Sequence, residues 1–254
     1  MDTQSQLLRI NSKFRNDTSN STTSNFTYSI ASTSATESVT KLELISFNMN
    51  RNFYNVASYN NQLMIKDGFS NVTTVSLTVG HYTIESLVVE LNRVCNFTES
   101  EVQVILTWSI VNDRLQVVGN NVFIISVNST IAPYIGLVGT DLVTSTTPVI
   151  LPSVPQLQGP DPIYIQSFTI CSGGCLDSTI LGGLIPLVGV IPCNQIPYGF
   201  NISWVKQAPD SYYTQWNQPI SIRTIDITLT DMYGNVLELP GSNVDVDLVF
   251  RIYY

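Results

Sequence analysis

The 254-residue chain carries 11 basic and 19 acidic side chains, a formal charge of −8, and is 44% hydrophobic. Ser, Thr and Asn make up 74 residues, so the chain is polar with little charge: too apolar for disorder and too poor in Lys and Arg for direct nucleic-acid binding. One histidine leaves little for metal or triad chemistry, and without a run of about 18 apolar residues no membrane span is expected.

Met1–Ser5 shows no basic stretch leading into an apolar one, so no secretory signal is expected. Residues 1–37 are a polar lead, low in complexity from Asn16 to Asn25 and punctuated by Leu7, Leu8, Ile10, Phe14, Phe26, Tyr28 and Ile30. They are expected to form an extended arm. Strand patterns follow at Lys41–Phe47, Val72–Val79, Val102–Trp108 and Arg114–Val118, the last two flanking a hairpin turn at Val111–Asp113. Further strands are predicted at Val122–Val127, Ile163–Ile170, Phe200–Val205 and Ile222–Thr230.

One helix is predicted, three turns at most. Thr83 suits the N-cap, Glu85 lies in the first turn, and Ile84, Leu87, Val88 and Leu91 follow the i, i+3, i+4, i+7 spacing. The closing segment alternates Val244, Val246, Leu248, Phe250 and Ile252 with Asp245, Asp247, Val249, Arg251 and Tyr253, a strand with one apolar face. Many short strands against one helix indicate a β-sandwich or jelly roll.

Eleven of the twelve prolines lie between Pro133 and Pro219, and from Leu142 to Val205 only Asp161 and Asp177 are charged. Inside that zone Ile180–Pro192 is apolar and broken by Gly and Pro. It fits a core loop, a subunit interface patch or a membrane-active loop.

Candidate chemistry is sparse. Cys171, Cys175 and Cys193 with a remote fourth ligand would make a zinc site, yet the Cys171–Cys175 gap is not the usual knuckle spacing; together with Cys95 they read better as reduced thiols. Seven Asn-x-Ser/Thr sequons, at Asn16, Asn20, Asn25, Asn71, Asn96, Asn128 and Asn201, compare with about four to five from chance in so Asn-, Ser- and Thr-rich a chain. His81 reads as a turn residue. Asp226 and Asp231 are the carboxylate pair to weigh for glycoside hydrolysis, but an odd spacing on a strand puts them on opposite faces. Trp204, Tyr212, Tyr213 and Trp216 could stack on sugars in a receptor- or glycan-binding head, or fill a core or interface. No catalytic, cofactor or metal residue is expected.

Several segments share their order with a known family: Leu8-Arg-Ile-Asn-Ser-Lys13, Asn25-Phe26, Val39–Ile45, Asn52-Phe-Tyr-Asn-Val56, Gly80–Asn92, Ala132–Val138 and Ile225–Asn243. In these the chain resembles the single-jelly-roll penton and minor capsid proteins of large eukaryotic DNA viruses and virophages. Residues 140–160 and 171–220 fall outside the resemblance. It implies an all-β fold, a single jelly-roll sandwich of about eight strands over residues 38–254, with one short helix, an N-terminal arm and a Pro-rich loop or insertion at about 171–220. It also implies a virion structural protein and not an enzyme. Such a protein forms a homopentamer at the five-fold vertices, amid major capsid protein capsomers and with minor capsid, cement or spike proteins as further partners. On the arm reading, removing residues 1–25 would spare the fold and impair shell assembly.

Overall fold

The structure, a computed structural model, describes residues 4–16, 22–67, 71–99, 102–171, 186–207, 213–240 and 245–254. The chain divides into two compact units, Met1–Phe53 with Pro160–Tyr254, and Tyr54–Gly159.

The first unit contains β1 (Ser5–Asn11), β2 (Asn25–Ser29), the one-turn helix α1 (Ser34–Glu37) and β3 (Val39–Asn50). The second contains β4 (Gln62–Lys66), β5 (Val72–Ser76), α2 (Ile84–Val94), β6 (Asn96–Glu99), β7 (Val102–Val111), β8 (Arg114–Gly119), β9 (Phe123–Ile125), α3 (Ala132–Ile135), β10 (Leu142–Thr144) and β11 (Val149–Ile150). The chain then returns to the first unit with β12 (Ile163–Gln166), β13 (Leu187–Ile191), β14 (Asn201–Val205), β15 (Tyr213–Ile220), β16 (Thr224–Thr230) and β17 (Val246–Tyr253).

Two antiparallel sheets build the first unit. In one, β17 lies between β1 and β3, and β14 and β15 share the far edge of β3; the other runs β13-β12-β16-β2. Alternation decides which side each residue takes. Val246, Leu248, Phe250 and Ile252 are buried while Asp247, Val249, Arg251 and Tyr253 point outward, as the sequence predicts. Phe47, Leu44, Ile10 and Phe250 from the first sheet share one core with Phe26, Ile163, Ile165, Ile227 and Leu229 from the second. This is the expected jelly-roll-type sandwich, but it is assembled from both ends of the chain.

The second unit is a smaller sandwich of sheets β10-β9-β4-β5 and β11-β8-β7-β6. Leu63, Ile65, Phe123 and Ile125 meet Leu106, Trp108, Leu115 and Val117 in its core, with Leu87 and Leu91 of α2. The hairpin predicted at Val111–Asp113 is present: Asn112 and Asp113 have φ of 51° and 60°, the two positive angles of a turn whose twist matches its strands. Helix α2 starts where predicted. The Thr83 hydroxyl accepts the Ser86 N–H, and the Ser86 hydroxyl accepts the Thr83 N–H. Asn92 of α2 pairs through both amide atoms with the backbone of Trp108, tying helix to sheet. The buried Asn55 donates to the carbonyls of Tyr82 and Leu157, both at 2.8 Å, and so fastens the two ends of the unit together. At the end of α3, Gly136 has φ of 87°, and a Cβ there would meet the Ser153 carbonyl oxygen at 2.1 Å, so only glycine fits.

The domain boundaries differ from those read in the sequence. Residues 5–11 and 25–29 of the expected arm are strands of the first unit, with Ile10 and Phe26 buried. The described parts of 171–220 supply β13, β14 and β15 to that same unit, and the inserted element is Tyr54–Gly159. Low charge marked the Pro-rich zone as unusual, but a charge-poor segment can equally be an edge strand. Removal of residues 1–25 is therefore expected to lower the thermal unfolding midpoint, because β1 and its pairing to β17 are lost. An unchanged midpoint by circular dichroism would return the segment to an arm.

Candidate assembly surface

Asp226 holds a turn. Its carboxylate accepts the hydroxyl of Ser167 at 3.0 Å, the N–H of Phe168 at 2.9 Å, the N–H of Thr169 at 2.7 Å, and the Thr169 hydroxyl. Burial pushes its pKa up, but these hydrogen bonds outweigh burial and keep it below the usual carboxylate range. Asp231 does the same for the turn after β16, accepting the N–H groups of Tyr233 and Asn235 and the Asn235 amide. Both carboxylates are committed to backbone, which is the geometry of turn supports.

The cysteine thiols are internal. Cys95, Cys171 and Cys193 are buried, while Cys175 and the 180–185 half of the apolar segment lie outside the described residues. Burial pushes the Cys95 thiol up to about 12; burial, with Asp161 nearby, does the same for Cys193. The Cys193 thiol donates to the Pro160 carbonyl and the Cys171 thiol to that of Leu187. Among the described residues no group of three His, Cys, Asp or Glu is placed to hold a metal. Among them, too, no helix is long and apolar enough to cross a membrane. His81 sits in the connection into α2, next to Gly80, whose backbone pairs with Val56. The described half of the apolar segment is β13, with Val188 and Ile191 in the core.

Trp204 and Trp216 pack against the first unit's core, Tyr213 lies against Lys41, and Tyr212 is outside the described residues. In the second unit, Tyr82, Ile84, Val154, Pro155 and Leu157 help line a shallow pocket of about 350 Å³ whose single charged side chain is Asp113. Thr83 and Gln158 complete its lining.

Exposed apolar side chains instead collect at one end of the first unit. The end of β3 pairs with the start of β14 (Asn50 with Asn201) and of β17 (Met49 with Val246). The turn after β1 joins them, since the Val246 N–H donates to Ser12 Oγ. The 192–200 segment carries the chain there from the end of β13, so both sheets close at this end. Phe14 is 69% exposed, Phe200 64% and Tyr233 56%, with Tyr198 and Met232 beside them in sequence.

Each of these side chains stands on a hydrogen-bonded turn. Lys13 N–H donates to Asn11 Oδ1 at 2.8 Å. Arg51 exchanges backbone hydrogen bonds with Gly199 and Phe200, at 2.9 and 2.8 Å, and its guanidinium donates to the Ile196 carbonyl. Asp231 fixes the Tyr233 turn. Single exposed hydrophobics are ordinary; several large ones on hydrogen-bonded turns at one end of a unit make that end the candidate interaction surface. The sequence reading did not single out Arg51 or Tyr233; the Asp231-Met-Tyr-Gly-Asn235 turn pattern was the available signal.

No family model matches the chain, and no curated protein matches its sequence. Among solved structures it is similar to the crystal structure of the mavirus penton protein, with a TM-score of 0.50 and 10% identity, covering 98% of this chain and 99% of that one. At that identity the likeness is one of fold.

Two outcomes are expected. Asp226→Ala strands the Phe168 and Thr169 N–H groups and should cost about 1–3 kcal/mol in denaturant unfolding. Acid should also weaken the second unit. Glu90 accepts a bidentate bond from Arg93 and the Thr78 N–H, and the Arg93 hydrogen bonds hold its pKa down, from 4.5 to about 2. A depressed carboxylate stabilises fully above its unfolded value and loses that contribution as pH falls from 4.5 toward 2. Glu90→Gln should flatten that limb of a stability–pH curve.

Proposed function

We propose that the chain is a virion structural protein, a penton capsomer whose homopentamer closes the five-fold vertices of an icosahedral capsid. The observation that carries this reading is the extent of the fold likeness to a penton protein, nearly the full length of both chains. A β-sandwich alone is common; a sandwich interrupted between its third and fourth strands by a second one is far less so, and the likeness spans both.

Physical features of the surface support the same reading. A closed ring needs one heterologous contact per subunit, made by two different patches. Sparse charge suits such contacts, because unpaired charges are costly to bury, and the rigid aromatic turns of the first unit supply anchors. Major capsid protein capsomers would surround the ring, with minor capsid or spike proteins as further partners. Its role in the virion would be architectural, not enzymatic.

Size-exclusion chromatography with light scattering should give a species of about five 28.1-kDa protomers, seen as five-fold rings in negative stain. Rings of another symmetry would overturn the reading. Phe14→Ser with Phe200→Ser should weaken self-association, by more than about 1 kcal/mol for each anchor that is central to a contact, and leave the thermal midpoint near that of the parent.

A further inference from the structure

The outward face of the β1–β17–β3 sheet has an unusual charge arrangement. Register lays Leu7, Arg251, Glu43 and Tyr213 in one row across it, with Tyr253 and Lys41 in the next. Lys206 and Lys41 act on the Glu43 carboxylate, and Arg251 is its cross-strand register partner. Glu43 is only 3% exposed although it lies opposite the core. One of its oxygens is ion-paired with Lys206, and the other accepts the Tyr253 hydroxyl at 2.8 Å. Burial pushes the Glu43 pKa up, but these two hydrogen bonds outweigh it and keep the group ionised.

Among the described residues neither Lys41 nor Arg251 forms an ion pair. The Lys41 ammonium is held against two rings, 4.3 Å from the centroid of Tyr213 and 5.1 Å from that of Tyr253. Lys41 and Arg251 are diagonal cross-strand neighbours, about 7–8 Å apart along the backbone, and the cluster is locally cationic on a chain of charge −8. Apolar side chains adjoin it: Leu7, 59% exposed, pairs with Arg251, and the exposed Val205 lies on the same face, opposite Ser46.

We propose that this face docks an acidic peptide segment of another protein, in which carboxylates alternate with apolar residues. The carboxylates would meet Lys41 and Arg251, and the apolar side chains would cover Leu7 and Val205. Charge complementarity selects an anion, and two features select a peptide over a nucleic acid. Sugar and phosphate offer nothing to rest on Leu7 or Val205. The chain's overall negative charge also opposes a dense polyanion, which binds by releasing counterions to clustered cations. The Lys41 ammonium favours this partner because the two rings set its position before the partner arrives. The inference stands apart from ring assembly, since the face is complete within one protomer.

The test uses a fluorescein-labelled dodecapeptide of alternating Glu and Leu, read by anisotropy against the full-length chain. Saturable binding is expected, weaker at high salt and reduced about tenfold or more by Lys41→Gln with Arg251→Gln. The Gln-for-Glu peptide should bind at least as poorly as that. Arg251→Gln alone breaks no ion pair, so it should keep the parent's thermal midpoint while still weakening binding, which separates docking from folding. Failure of the Glu peptide to bind, equal affinity for parent and variants, or tighter binding of an oligothymidylate of the same length would each overturn the proposal. Light scattering of the same samples reports ring formation separately.

Discussion

Everything in the first unit depends on β17 lying between β1 and β3. That strand supplies four of the core's buried side chains, and its hydrogen bonds on both edges are satisfied only because the beginning and the end of the chain meet there. The rest of the sheet is built outward from that pairing. β3 is long enough to carry β17 on one side and both β14 and β15 on the other, and the second sheet then covers the single apolar face that results.

Local chemistry was legible in the sequence where it was self-contained. The alternation of β17, the Thr83 cap of α2 and the turn at Asn112–Asp113 each depend on residues within a few positions of one another, and each is present. The strands of the lead were less legible because their apolar pairs, Leu8 with Ile10 and Phe26 with Tyr28, give only one period of alternation each. Strand periodicity also carries no information about which sheet a strand joins. The inserted sandwich therefore read as further strands of a single barrel.

The surfaces were the least legible of all. Phe14, Phe200 and Tyr233 are separated widely along the chain and share one end of the unit only because both sheets end there. The Lys41–Glu43–Tyr253 cluster depends on contacts between residues as far as 210 positions apart, and the Glu43–Lys206 pair on 163. The fold sorts polarity by place: aromatic turns at one end of the first unit, cations on one sheet face, and carboxylates such as Asp226 and Asp231 withdrawn into turn support.

The insertion of one sandwich within another also sets an order of events in time. Residues 54–159 are contiguous, and most of their strand pairs are closer in sequence than those of the outer sandwich, so this unit closes shorter loops. The outer sandwich must wait. Arg9 and Asp247, ion-paired across its sheet, are 238 positions apart, and loop closure over that distance happens only after β17 has been made. During synthesis the inner unit can fold while β1, β2 and β3 are still without β17. The aromatic turns that depend on β14, β16 and β17 come into register last, so the exposed apolar end of the first unit does not form until β17 has paired.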